Sequence, residues 1–145
     1  LSIQGNHLHV ICEAASREAL TSAMTAFKTS AGRRLNTAAG RCGRVFADRY
    51  HVEVLRTPTQ VRNALVYVLN NWRKHGEDRG ACYRVDPYST GIYFRGWKET
   101  DIPKVLIIPP TADVLPYREP RSWLLSEGWK RANRPISLYE VPGPH

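Results

Sequence analysis

One stretch of this sequence constrains the fold more than any other. Thr57-Pro58-Thr59-Gln60 has the form of a helix capping box with proline at the first helical position. Apolar residues then recur at steps of three and four, which indicates an amphipathic helix with one face against a core: Val61, Ala64, Leu65, Val68, Leu69 and Trp72. Tyr67 lies about 130° from the centre of this apolar stripe, so core packing does not explain its position.

The residues before this helix predict two strands and another helix. Residues 1–12 alternate between apolar and polar side chains, which predicts a strand with His7 and His9 on one face. Ser16 is the predicted N-cap of a long helix that ends near Gly40. Its apolar stripe is Leu20, Met24, Phe27, Ala31 and Leu35. Alternation within residues 44–55 predicts a second strand.

Periodicity is weak after Lys74, where most of the prolines and glycines lie. We expect loops there, with a short strand at residues 105–108 and a short helix around residues 121–129.

The charge balance narrows the class of partner. Lysine and arginine total 21 against 13 acidic residues, a net charge of +8. Such an excess favours a polyanion such as nucleic acid, although a solvated basic surface would have the same composition. No apolar run approaches the roughly 18 residues of a membrane span. Three widely spaced cysteines argue against a disulfide framework or a zinc ribbon and favour a reducing cytoplasm.

Two pairs of residues suggest chemistry. Histidines at i and i+2 of a strand can converge on one cation, as His7 and His9 would. Tyr67 and Asn71 are four residues apart and therefore neighbours on one helix face. Each pair also has a simpler interpretation, as half-exposed strand histidines and as a helix-surface amide. His51, His75 and His145 have no partner in the sequence pattern and are predicted to be surface residues.

Three segments, in order and spacing, resemble the REP-associated tyrosine transposases, which are single-tyrosine HUH enzymes. Gly5-Asn6-His7-Leu8-His9-Val10 looks like the histidine-hydrophobe-histidine strand of that family. Residues 43–50 (GRVFADRY) resemble the segment before the tyrosine helix, and Tyr67-Val68-Leu69-Asn70-Asn71 matches the Tyr-x-x-x-Asn motif. The resemblance covers residues 2–74, about half of the chain, and no single segment is specific.

The resemblance implies an α+β fold, a ferredoxin-like antiparallel sheet with helices on one face. Residues 1–76 would form the HUH catalytic core, and residues 77–145 a loop-rich extension packed on it. The first strand of the family would precede Leu1, so we expect the sheet to be incomplete here. Trp72 stands where many relatives have proline, which affects helix continuation more than chemistry.

The resemblance also implies the roles of individual residues. Tyr67 would attack single-stranded DNA and form a 5′-phosphotyrosine link, with His7, His9 and Asn71 holding a divalent metal. Two imidazoles suit manganese, zinc or nickel on ligand softness, whereas the family is associated with Mg²⁺ or Mn²⁺. Contacts to DNA phosphates would come from Arg33, Arg34, Arg41, Arg44, Arg49 and Lys74.

The expected protein is thus a bacterial, cytoplasmic and nucleoid-associated DNA transposase. It would act on hairpin-forming single-stranded DNA as a monomer or homodimer. Two alternatives stay open at this point: a catalytically silent module that binds single-stranded DNA, and a metal-dependent hydrolase that uses water.

Overall fold

The computed structural model describes residues 1–47, 49–100 and 115–143. They form strands β1 and β2, helices α1 to α4 and two 3-10 helices: β1 Ser2–Ile3, β2 Leu8–His9, α1 Arg17–Ala38, α2 Pro58–Leu69, α3 Asn71–Lys74, a 3-10 helix Thr90–Tyr93, α4 Trp123–Ser126 and a 3-10 helix Gly128–Ala132. Helices together with a two-stranded antiparallel sheet confirm the predicted α+β class in its coarse form.

Two compact units divide the chain. One combines Leu1–Cys12 with Leu55–His145, and the other is Glu13–Val54. The functional division predicted after residue 76 stays a prediction. No helix in the described ranges combines the length and apolarity that crossing a membrane requires.

The N-terminal segment is a hairpin, so the prediction of one strand across residues 1–12 was wrong. β1 and β2 are antiparallel, with Ser2 opposite His9 and Ile3 opposite Leu8. The backbone N–H of Gln4 donates to the carbonyl of His7 at 2.9 Å and closes the turn. Gly5 and Asn6 lie between Gln4 and His7, and both residue types favour turns. A turn therefore forms here, although the flanking residues alternate as in a strand.

The helix that carries Tyr67 begins as predicted. The hydroxyl of Thr57 accepts from the backbone of Gln60 at 3.2 Å, and the Gln60 side chain accepts from the backbone of Thr57 at 3.1 Å. The predicted stripe is buried except for the half-buried Ala64. Val66 is buried as well, because α2 packs against both α4 and the 3-10 helix Gly128–Ala132. The resulting core cluster is Val61, Leu65, Val66, Leu69, Trp129 and Ile136.

Polar side chains of α2 and α3 hold the C-terminal segment. Arg62, only 3% exposed, donates to the carbonyls of Arg134 and Pro135 and pairs with Glu140. The Asn70 amide donates to the carbonyls of Ser137 and Glu140, and Arg73 donates to that of Leu138. The predicted helix around residues 121–129 is present as α4 and the second 3-10 helix, and the predicted strand at 105–108 lies outside the described residues.

The unit Glu13–Val54 consists largely of α1. Its predicted N-cap is confirmed, since the Ser16 hydroxyl accepts from the backbone of Ala19 at 3.1 Å. No α1 residue is buried, and Leu35 of the predicted stripe is 50% exposed. The strand predicted over residues 44–55 was wrong for the described residues there. Among the residues that the structure describes, no neighbouring strand supplies backbone hydrogen bonds to this segment, and such pairing is what stabilises a strand.

A buried carboxylate fixes the hairpin to a later loop. One Asp86 oxygen accepts from the Ser2 hydroxyl at 3.2 Å and from the Gln4 amide at 3.3 Å. Its other oxygen accepts from the backbone of Tyr88 at 2.8 Å. The backbone of Ile3 donates to the carbonyl of Tyr88 at 2.9 Å, so loop and strand share main-chain and side-chain bonds. β1 is thereby held in place from the side opposite β2.

Replacing the N-cap tests how much the capping box stabilises the tyrosine helix. Thr57→Ala should lower the free energy of unfolding by about 1 kcal/mol, because the backbone N–H of Gln60 loses the Thr57 hydroxyl as its acceptor. Thr59→Ala is the matched control in the first turn and should change stability by a few tenths of a kcal/mol at most. Urea unfolding followed by circular dichroism measures both. Equal effects of the two substitutions would contradict the role of the cap.

The buried carboxyl also predicts a pH dependence of stability. Burial raises the pKa of Asp86 above its usual value, so the folded chain keeps this proton at pH values where the unfolded chain has lost it. The Asp86 contribution therefore makes the free energy of unfolding fall as pH rises from about 4 through the higher pKa of the folded state. Asp86→Asn removes this contribution. Urea unfolding at a series of pH values measures the free energy of unfolding of the wild type and of Asp86→Asn. If this free energy changes with pH in the same way in both proteins, the prediction is contradicted.

Candidate active site

The hairpin places two histidines side by side. His7 ends the turn and His9 lies in β2, and their ring centroids are 4.8 Å apart with planes at 76°. His7 is exposed and His9 is half-buried. Two imidazoles at this separation can direct ring nitrogens toward one bound group.

Helix α2 brings Tyr67 against this pair. The Tyr67 ring is half-buried, outside the core cluster, and contacts His9 edge-on with centroids 4.9 Å apart. The ammonium of Lys74 lies 4.9 Å from the centroid of the same ring. A cation over a tyrosine face is attracted by the ring electrons, by about 0.5–1 kcal/mol where it is solvent-exposed. Tyr67 therefore has an imidazole and an ammonium as immediate neighbours.

Two successive asparagines after α2 have different roles. The helix is interrupted at Asn70, whose backbone angles are φ −113° and ψ 15°. Asn70 is bound to the C-terminal segment, whereas the Asn71 amide nitrogen lies 3.4 Å from Nε2 of His7. Asn71 is completely buried, and its Oδ1 has no hydrogen-bond partner among the described residues. Leaving a buried oxygen unsatisfied costs about 1–3 kcal/mol, so this oxygen is free to accept from or coordinate a ligand.

The donor set fits a divalent transition metal. No three histidine, cysteine, aspartate or glutamate side chains in the described part of the chain could hold a metal ion. A metal here would therefore need the amide oxygen of Asn71 beside His7 and His9. Two imidazole nitrogens and one amide oxygen favour manganese, zinc or nickel over magnesium. The Asn71 amide presents its nitrogen to His7 here. A half-turn of the amide group would present its oxygen instead, because the two groups are nearly equal in size.

Two neighbours of this cluster were not predicted as site residues. The His75 ring centroid lies 5.7 Å from that of His7, and His75 ends α3, where its backbone donates to the carbonyl of Asn71. The spacing of His75, four residues after Asn71 and eight after Tyr67, was the signal that could have indicated it. The second neighbour is Asn6, whose side-chain oxygen lies 2.7 Å from Nδ1 of His7.

The predicted DNA-binding residues fall into two groups. Lys74 belongs to the cluster just described. The five arginines lie in the unit Glu13–Val54, and all are exposed: Arg33, Arg34, Arg41, Arg44 and Arg49. Arg41 donates to the Asn36 side chain and Arg44 to the carbonyl of Phe46, so their guanidinium groups also stabilise the segment that follows α1.

The structure thus brings together His7, His9, Tyr67 and Asn71, with Lys74, His75 and Asn6 around them. No protein-family model, curated protein or solved structure gives a match to this chain.

Proposed function

We propose that this chain cleaves and rejoins single-stranded DNA, with Tyr67 as the nucleophile. The observation that supports this most directly is the contact of the Tyr67 ring with His9, which itself lies beside His7 and Asn71. A core tyrosine would have apolar neighbours, whereas this one has two titratable groups, His9 and Lys74. A phenol next to potential metal ligands is an arrangement that suits covalent attack on a phosphodiester, since metal coordination is one way to activate a nucleophile.

The proposed step exchanges one phosphoester bond for another. The Tyr67 oxygen bonds to phosphorus, and the bond from phosphorus to the 3′ oxygen of the preceding nucleotide breaks. The phenol proton is released to solvent and the leaving 3′ oxygen takes up a proton, so a free 3′-hydroxyl results. Because the 5′-phosphotyrosine link conserves the ester, a second 3′-hydroxyl can attack it and rejoin the strand.

His7, His9 and Asn71 would hold a divalent cation, Mn²⁺ or Mg²⁺. When bound, such a cation polarises the phosphoryl group and neutralises charge that develops on its oxygens. The protein residues contribute position: His9 contacts the tyrosine ring, and Asn71 lies beside His7. Lys74 adds a positive charge at the face of the phenol, which favours an approaching phosphate.

The net charge of +8 supports a polyanionic substrate. The exposed arginines of Glu13–Val54 would contact the phosphates of a hairpin-forming strand. On the basis of the family resemblance, we also propose a ferredoxin-like sheet in which β2 is a central strand. A silent DNA-binding module is the second candidate, favoured by the same charge, and a water-using hydrolase is the third.

A covalent adduct separates these three functions. Wild-type protein incubated with hairpin-tailed single-stranded DNA and Mn²⁺ should yield an adduct that survives denaturing electrophoresis. Tyr67→Phe should reduce adduct formation by about a thousandfold or more, because the attacking oxygen is removed. A label on the 3′ side of the cut should travel with the protein.

Tyr88→Phe is the matched control, since Tyr88 is 66% exposed and outside the cluster. It should form the adduct at the wild-type rate. Cleavage that persists in Tyr67→Phe would support the hydrolase. DNA binding with no adduct in the wild type would support the silent module.

Asn71→Leu tests the proposed metal ligand against a purely structural amide. Leucine has a similar volume and no oxygen, so Mn²⁺ affinity should fall about tenfold or more. The free energy of unfolding should stay constant or rise by up to about 1 kcal/mol, because an unsatisfied buried oxygen is removed. Calorimetric titration with Mn²⁺ and urea unfolding measure the two effects.

Asn63→Leu makes the same change at an exposed position of α2 and should leave Mn²⁺ affinity unaltered. Unchanged affinity combined with marked destabilisation in Asn71→Leu would identify Asn71 as structural and exclude it as a ligand.

A further inference from the structure

We propose that Asn6 is a positioning residue, which fixes the His7 ring with its hydrogen on Nδ1 and its lone pair on Nε2. This deepens the proposed function and depends on it for the consequence at the metal. The state of the ring itself can be tested without that function.

The contact on one side of the His7 ring determines which nitrogen carries the hydrogen. Oδ1 of Asn6 lies 2.7 Å from Nδ1 of His7, a short hydrogen-bond distance. An amide oxygen can only accept, so Nδ1 must be the donor. A neutral imidazole has one ring hydrogen, and Nε2 is therefore left as an acceptor.

The contact on the other side of the ring agrees. Nδ2 of Asn71 lies 3.4 Å from Nε2 of His7, and an amide nitrogen can only donate. Asn71 supports this tautomer only with its amide oriented as it is here, because a half-turn would present its oxygen to Nε2 instead. The shorter contact is the one to Asn6, so Asn6 dominates the choice.

The hairpin turn is what allows Asn6 to reach the ring. Adjacent residues of a regular strand point to opposite faces, so a continuous strand would separate the side chains of Asn6 and His7. The turn closed by Gln4 and His7 changes the backbone direction at this point. Asp86 in turn holds Gln4 through the side-chain bond described above. The tautomer of His7 therefore depends on the turn and on the loop that anchors it.

A fixed Nδ1–H leaves Nε2 directed at Asn71, the side from which a metal ion would be shared. Histidine ligands generally donate their remote N–H to an oxygen acceptor, which orients the ring and raises its basicity. Loss of such an acceptor typically weakens metal binding about 10- to 100-fold. Asn6 supplies this acceptor from the residue next to the ligand.

The test reads the tautomer directly by nitrogen NMR of the full ¹⁵N-labelled chain, at a pH where the imidazoles are neutral and without added metal. In the wild type, Nδ1 of His7 should have the shift of a protonated ring nitrogen and Nε2 that of an unprotonated one. Asn6→Ala should move both shifts toward those of a mixed tautomer population. Asn6→Asp retains an acceptor and should preserve the wild-type pattern.

Mn²⁺ titration of the same proteins measures the consequence. Asn6→Ala should bind Mn²⁺ about 10- to 100-fold more weakly, whereas Asn6→Asp should bind as tightly as the wild type or more tightly. Asn63→Ala, a matched change on the exposed face of α2, should alter neither readout. His7 shifts that are identical in the wild type and Asn6→Ala would overturn the proposal.

Failure of the proposed function has a different signature. Wild-type protein that binds no Mn²⁺ and forms no DNA adduct would refute that function, while the His7 shifts would still decide the role of Asn6. Asn6→Asp guards against a folding effect, since loss of the wild-type pattern in this variant as well would show that the acceptor oxygen is not what sets the tautomer.

Discussion

The contact between the N-terminal hairpin and the tyrosine helix is the interaction on which the candidate site depends. His9 and Tyr67 come from segments 58 positions apart, yet their rings touch. Strands of two residues each are too short to be stable alone, so the hairpin requires external support. The Asp86 loop provides it through buried hydrogen bonds to β1. The loop after the tyrosine helix thus orients the histidines that precede that helix.

Buried polar side chains of the tyrosine helix and the residues after it differ in how their hydrogen-bonding groups are matched. Arg62 and Asn70 are nearly fully buried, and their donors are matched by carbonyls or a carboxylate of the C-terminal segment. Asn71 is equally buried, but its oxygen has no such partner among the described residues. Because an unmatched buried acceptor is destabilising, this oxygen does not stabilise the fold as the matched groups of Arg62 and Asn70 do. The same short stretch of helix therefore serves the core on one side and the candidate site on the other.

The wrong strand predictions share a physical cause. Alternation of apolar and polar residues indicates a strand only if neighbouring strands supply hydrogen bonds, and the sequence does not reveal those neighbours. Tyr50, Val52 and Val54 alternate with polar residues but have no strand partner in the described part of the chain, and residues 1–12 contain a turn that divides them in two. Missing the turn concealed the contact between Asn6 and His7, which a continuous strand would not permit.

The starts of the two long helices could be predicted from the sequence alone. The caps at Ser16 and Thr57 and the apolar periodicity of the tyrosine helix depend on residues within a few positions of one another, and the structure has them where they were predicted. The contacts of Asn6 and His75 with His7 follow from the three-dimensional packing and were not predicted. The contact between His7 and His75 joins residues more than 60 positions apart. The C-terminal segment binds Asn70, and Asn71 contacts His7.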